Sequence, residues 1–233
     1  MNTNTTLGET LTTAQAAQRL GLSQHQVAML AASGEIASSR IGRTLVLDAR
    51  DVLRYGQNRC GKGRPLTQGV AIAAFWLLSG REAPWLTYQQ ARRLNAKLAS
   101  VSPEELVWLC RRRCEIKRFR CNPSFLNKVK EQVALSGCSS PFLSQLGLSS
   151  LNEGVEGYVG KEALEKVVSS CHLKEDQEGE VVLRVVNVST PVIDTAPMPL
   201  AVAAADLAES LVARERQAGL SFLKGALNDY RKD

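Results

Sequence analysis

No stretch of this chain is apolar for long enough to cross a membrane, and Met1-Asn2-Thr3-Asn4-Thr5-Thr6 lacks the charged-then-apolar order of an export signal. A cytoplasmic protein with no membrane partner is therefore expected. Histidine is scarce: His25 and His172 are the two in 233 residues. A hydrolase needs a nucleophile with a base in reach, and so little histidine leaves few ways to build one. The paired carboxylates Glu104-Glu105 and Glu175-Asp176 read as helix-start or loop charges rather than a catalytic pair, so no catalytic residues are assigned. The six cysteines, Cys60, Cys110, Cys114, Cys121, Cys138 and Cys171, include no CxxC pair. Cys110 and Cys114 would share a helix face with Cys121 not far off, but His25 and His172 are the only other soft ligands. Neither a metal nor another cofactor is expected, and a chain of this length needs no disulfides to fold. Gly154, Gly157 and Gly160 have neither the lysine and serine or threonine of a Walker loop nor the dinucleotide pattern, and read as turns.

What the chain does have is positive charge, +6 overall, on a length that suits about two domains. Arg40, Arg43, Arg50, Arg54, Arg59, Lys62 and Arg64 follow one another with only Asp48 and Asp51 as acids among them. An isolated run of this kind is usually a solvated surface. This one adjoins a sequence patterned as a DNA reader, which makes phosphate contact the better interpretation.

That pattern begins at Leu11. Thr13 is placed to cap a helix whose apolar positions are Ala16, Ala17 and Leu20, and Gly21 ends it. Ser23 caps a second helix with Val27 and Leu30 inward and Gln24, His25 and Gln26 in its exposed first turn, where a helix-turn-helix protein meets base edges. Ser33-Gly34-Glu35-Ile36 closes this helix, and Arg40 to Leu47 reads as a hairpin turning at Gly42, in effect a wing. Asp48 caps a third helix, with Val52 and Leu53 packing the wing back on the first two. Residues 11–57 resemble the excisionase-type helix-turn-helix, a small winged relative of the MerR DNA-binding domain. The match is carried by Leu11-Thr12-Thr13, Ala16-Ala17, Leu20-Gly21-Leu22-Ser23, Ser33-Gly34-Glu35-Ile36, Arg40-Ile41-Gly42-Arg43 and Asp51-Val52. The chain departs from the family at Ala37, where proline is usual, and at Thr44 and Val46, where basic residues are usual. The resemblance implies Ser23, Gln24, His25 and Gln26 at the major groove, with Arg40, Arg43, Thr44, Arg50 and Arg54 on phosphates or the neighbouring minor groove.

Residues 1–10 are expected to be a flexible N-terminus, 58–65 a linker marked by Gly61, Gly63 and Pro65, and 66–233 a second domain. The overall class is α+β, a winged helix-turn-helix followed by a mostly helical α/β domain. Helices are predicted over 67–79, apolar nearly all round, over 87–98, and after Ser102-Pro103 with Glu105 as reciprocal cap. Arg111, Arg112, Arg113, Lys117, Arg118 and Arg120 form a second basic cluster, open to two interpretations: a second nucleic-acid surface, or a solvated helix end. Acids gather between Glu153 and Glu180, so charge is segregated along the chain. Further on come a strand over 154–159, a helix over 161–171, a strand over 181–186, a proline-marked loop from Pro191 to Pro199, and two amphipathic helices over 200–211 and 214–229.

Residues 64–227 are similar to actinobacterial proteins related to AbiEi antitoxins, through Gly80 to Leu86, Arg111-Arg112-Arg113 with Phe119-Arg120, Glu156 to Val159, Val181 to Val185 and the alanine-rich Val202 to Ser210. That similarity implies an autorepressor that counteracts a neighbouring nucleotidyltransferase toxin and has no catalytic centre of its own. The expected function is a sequence-specific, double-stranded-DNA-binding transcriptional regulator, the antitoxin of such an operon, acting as two copies on an inverted repeat. The alternatives are an excisionase or phage-type regulator without antitoxin activity, and a metal-dependent nuclease built on Glu and Lys.

Overall fold

The computed structural model describes residues 9–60, 63–149, 154–187, 193–194 and 196–232. Outside them lie residues 1–8, most of the expected flexible N-terminus, with Gly61 and Lys62 of the linker, Glu153 of the acidic stretch and Pro191 of the proline-marked loop. The chain is a mixed α+β protein, and among the described residues no helix is long and apolar enough to cross a membrane.

Six elements open the chain: β1 (Thr10–Thr12), α1 (Thr13–Leu20), α2 (Gln24–Ala32), β2 (Ser38–Ile41), β3 (Thr44–Asp48) and α3 (Ala49–Asn58). Thr12, not Thr13, caps α1, because its partner Gln15 sits three residues on. The Thr12 hydroxyl accepts from the Gln15 amide at 3.2 Å, and Gln15 Oε1 accepts from the Thr12 amide at 2.9 Å. Gly21 ends α1 in the left-handed region, φ 62°, and Leu22 N donates back to the Ala17 carbonyl at 3.0 Å. Ile41 and Thr44 are cross-strand partners, so Gly42-Arg43 is a two-residue hairpin loop with Gly42 at φ 60°, the positive φ such a loop requires. The antiparallel sheet runs β1-β3-β2. Asp48 caps α3 through Asp51 N at 2.8 Å, as its position predicts. Leu11, Ala16, Ala17, Val27, Ile36, Leu47, Ala49 and Val52 form the core of this unit. Leu53 is not among them; it is 48% exposed. The departure at Ala37 has a structural use: its amide donates to Asp51 Oδ2 at 3.0 Å, a bond that proline has no N–H to make.

The rest of the chain places helices on both faces of a five-stranded sheet. In order come α4 (Gln68–Leu77), α5 (Tyr88–Leu98), α6 (Pro103–Leu109), β4 (Glu115–Arg120), α7 (Leu126–Lys130), β5 (Ala134–Leu135), β6 (Val155–Gly160), α8 (Lys161–Ser170), β7 (Lys174–Glu175), β8 (Val181–Val186), α9 (Leu200–Ala208) and α10 (Ala213–Tyr230). The strand order is β5-β6-β8-β4-β7. Only the β6–β8 pair is parallel among the described strands, and α8 makes its crossover. Alternation along β6 and β8 divides the core. Val155, Val159, Val181, Leu183 and Val185 face α8, while Tyr158 and Val186 join α4, α6, α9 and α10.

Most predicted elements occur, including the Ser102–Glu105 reciprocal cap of α6. Two differ. The 111–120 stretch is not a helix end, since β4 pairs antiparallel with β8 from Glu115↔Val185 to Phe119↔Val181 and buries Phe119. The predicted amphipathic 200–211 helix ends at Ala208 and is buried on every side from Ala201 onward. It is pressed against α10 so closely that a Cβ on Gly219 would lie 2.3 Å from the Ala204 carbonyl oxygen.

Candidate nucleic-acid interface

The first turn of α2 is set by its cap. Ser23 Oγ accepts from the Gln26 amide at 3.2 Å, and Gln26 Oε1 accepts from the Ser23 amide at 2.9 Å. Two of the four residues assigned to base edges therefore hold the helix start together, and the Gln26 carboxamide oxygen is engaged. Gln24 and His25 stand exposed between them. Val27 anchors the turn from beneath, fully buried.

At the hairpin tip Arg40, Arg43 and Thr44 are all exposed. Among the described residues neither Arg40 nor Arg43 has a side-chain hydrogen bond or ion pair. The other four arginines of residues 9–60 are engaged. Arg19 faces Glu9 at 3.7 Å, and Arg59 donates to the Leu20 carbonyl at 3.0 Å. Arg50 pairs with Glu178 at 3.2 Å, while Arg54 pairs with Asp51 at 3.1 Å and reaches Glu209 at 3.9 Å. Arg50 and Arg54, expected on phosphates, thus meet carboxylates of the second half of the chain.

These contacts belong to a seam between residues 9–60 and the larger α+β unit. Glu35, just past α2, accepts from Arg111 Nε at 2.5 Å and also from Arg112. Burial alone would raise the Glu35 carboxyl, but the two guanidinium hydrogen bonds outweigh it and hold the group below its ordinary value. Arg111 lies 3.9 Å over the Trp108 ring, and Tyr55 meets the same ring edge-on at 5.2 Å. Arg216 closes the far end by donating to the Gln57 carbonyl at 2.9 Å.

The second basic cluster is accordingly not an open cationic patch. Arg111 and Arg112 clasp Glu35, Lys117 faces Glu115 at 3.8 Å, and Arg120 pairs with Asp176 at 2.9 Å. Arg118 is half-buried near Asp51. Arg113 is 1% exposed.

Arg113 belongs to a buried charge cluster that the sequence reading did not identify. Its fork donates to Glu209 Oε1 at 2.8 Å and Oε2 at 2.7 Å, and to Asp206 Oδ1 at 2.7 Å. Arg184 bonds Glu156 at 2.8 Å and lies 3.3 Å from Asp206. Tyr158 and Ser136 hydroxyls complete the Asp206 shell at 2.9 and 2.5 Å. Burial opposes ionisation of Glu209, yet Arg113 and Arg184 beside it bring its carboxyl down to about 2. For Asp206 burial prevails and holds the carboxyl above its ordinary value. Burial also opposes the charge on Arg113 and Arg184, but the carboxylates around them raise both well above the ordinary arginine value. The available signal was a charge inside an apolar run: Arg184 within Val181-Val182-Leu183-Arg184-Val185-Val186, and Asp206 within the alanines of α9. Such a charge is buried with its element and must find a partner there.

The cysteines also sit differently from the shared helix face. Cys110 ends α6 and Cys114 lies beyond it, before β4. Burial pushes the Cys110 thiol up to about 12. Cys121 lies instead against the Cys171 carbonyl, Sγ to oxygen 4.0 Å. Comparison with family models, curated proteins and solved structures returns no match to this chain.

Proposed function

We propose that residues 11–57 are an excisionase- or MerR-like winged helix-turn-helix that binds double-stranded DNA sequence-specifically, and that the chain is a non-enzymatic transcriptional regulator. The observation that carries this is the pair of unpartnered guanidiniums, Arg40 and Arg43, at the tip of the β2–β3 hairpin. With Arg19, Arg50 and Arg54 facing carboxylates and Arg59 held by a carbonyl, these two are left open where a wing meets phosphates. Gln24 and His25, on the exposed first turn of α2, are the base readers, with Gln26 contributing at most its NH2 group. Arg50 and Arg54 position the unit rather than the DNA. A single domain of this size buries little surface, so two copies on an inverted repeat supply useful specificity.

The similarity of residues 64–227 to AbiEi proteins extends the proposal to an autorepressor and antitoxin acting against a nucleotidyltransferase toxin in the cytoplasm. Selection from a random duplex library with the full chain tests the DNA-binding part, and a recovered inverted repeat is the expected outcome. R40Q/R43Q weakens binding to every sequence and lowers the slope of log affinity against log salt by about two. Q24A/H25A relaxes sequence preference and abolishes repression, while protection from the toxin persists. No enriched sequence, or unchanged binding by R40Q/R43Q, overturns the proposal.

A further inference from the structure

We infer that the exposed face of α5 is a second, sequence-independent contact for the phosphate backbone of a nucleic acid. The helix buries only Leu94 and Leu98. On its outer side Tyr88, Arg92 and Ala96 form one stripe at four-residue spacing, and Gln89, Arg93 and Lys97 form the adjoining one, all exposed. Tyr88 is 83% exposed, an aromatic ring left in water one turn from Arg92. The helix contains no acidic residue. Arg93 and Lys97 are like charges four residues apart, a pairing that works against the helix they stand on.

Like Arg40 and Arg43 at the hairpin tip, the cations of this face contrast with the arginines that carboxylates hold elsewhere in the chain. Arg111 and Arg112 share Glu35, Arg113 is forked onto Glu209, Arg120 meets Asp176 and Arg184 meets Glu156. Among the described residues Arg92, Arg93 and Lys97 have no ion-pair partner, and neither has Arg81 in the preceding loop. Glu82 is the one acid beside them in that loop. Guanidinium, ammonium, carboxamide and phenol groups are all donors, and donors are what phosphate oxygens accept. The occupant assigned is the phosphate backbone, to which Tyr88 adds an exposed phenol O–H donor one turn from Arg92.

The test uses the full chain and a fluorescent duplex of random sequence, titrated at several salt concentrations. Neutralisation by R92Q/R93Q/K97Q is expected to weaken binding by more than about tenfold near 0.1 M salt and to lower the salt slope by nearly three. The folded state is checked by circular dichroism, and Y88A is a second variant that leaves the charge intact and weakens binding less. Unchanged affinity and slope in R92Q/R93Q/K97Q overturn the inference. If only retention on immobilised polyglutamate falls, the partner is an acidic protein and the phosphate assignment fails. R40Q/R43Q in parallel separates this result from the hairpin reading: loss of random-duplex binding there alone rejects the α5 face, and loss in the α5 variant alone rejects the wing.

Discussion

Replacing Arg113 by methionine removes the guanidinium and keeps a side chain of similar length, which isolates the charge at the centre of the buried cluster. Two carboxylates then lose their closest cation: Glu209, bound through both oxygens, and Asp206, bound at 2.7 Å. Truncating one member of a buried charge pair costs about 3–5 kcal/mol, because the other charge stays desolvated. The acidity of Glu209, to which Arg184 and Arg54 also contribute, gives a figure of the same order. Lowering its carboxyl from 4.5 to about 2 corresponds to about 3 kcal/mol of stability, at about 1.4 kcal/mol per pH unit. A loss of that size lowers the melting temperature of a 233-residue chain by about 10 °C. The sign of the pH effect follows. In the wild type the Glu209 contribution is complete above pH 4.5 and is lost as pH falls from there toward about 2. In R113M the stranded carboxylates take up protons at higher pH, so acidification relieves the variant before it harms the wild type. Urea denaturation at pH 7 and pH 4.5 should show a gap that is widest at pH 7 and narrows in acid, with R113K intermediate because it restores charge without the fork. A gap under about 1 kcal/mol at pH 7, or one that does not change with pH, refutes the argument.

Gly219→Ala should destabilise by about 1–3 kcal/mol in a thermal melt, since its Cβ would meet Ala204 O at 2.3 Å and Ala208 N at 2.6 Å and drive α9 from α10. Gly225→Ala, on the same helix with open space around it, should instead gain up to about 1 kcal/mol. Glu35→Gln should weaken the seam by about 1 kcal/mol, modest because Arg112 is half exposed and the amide oxygen can still accept from one guanidinium. Its signature is faster proteolysis around Gly63 and Arg64 at pH 7, a difference that fades as acid protonates the wild-type carboxyl below its ordinary 4.5.

Helix starts were legible because they are written locally. A cap and its partner lie three residues apart, so Ser23, Asp48 and Ser102 could be placed from the sequence. Even the one-residue error at Thr12 is a local matter, decided by the reach of Gln15. Strand β4 was hidden because Glu115-Ile116-Lys117-Arg118-Phe119-Arg120 has no strong alternation of its own, and becomes a strand through β8, more than sixty residues away. Helix α9 was misjudged for a related reason. Val202, Leu207 and an intervening Asp206 look amphipathic until Arg113, from the turn before β4, and Arg184, from β8, arrive to neutralise the aspartate.

The same distance effect governs the candidate interface. A run of arginines in sequence states how much charge is present, not where the opposite charge will land. Arg40, Arg43, Arg50 and Arg54 look equivalent along the chain, yet Glu178 and Glu209 fold back onto the last two and leave the first two at the hairpin tip. Arg111 and Arg112 look like a second cationic patch until Glu35 closes on them. The ion pairs from Arg50, Arg54, Arg111 and Arg112 across the seam also fix the N-terminal unit against the sheet domain, with Tyr55 and Arg111 both packed on Trp108. The ion pairs of this seam set the orientation in which α2 and the hairpin are presented.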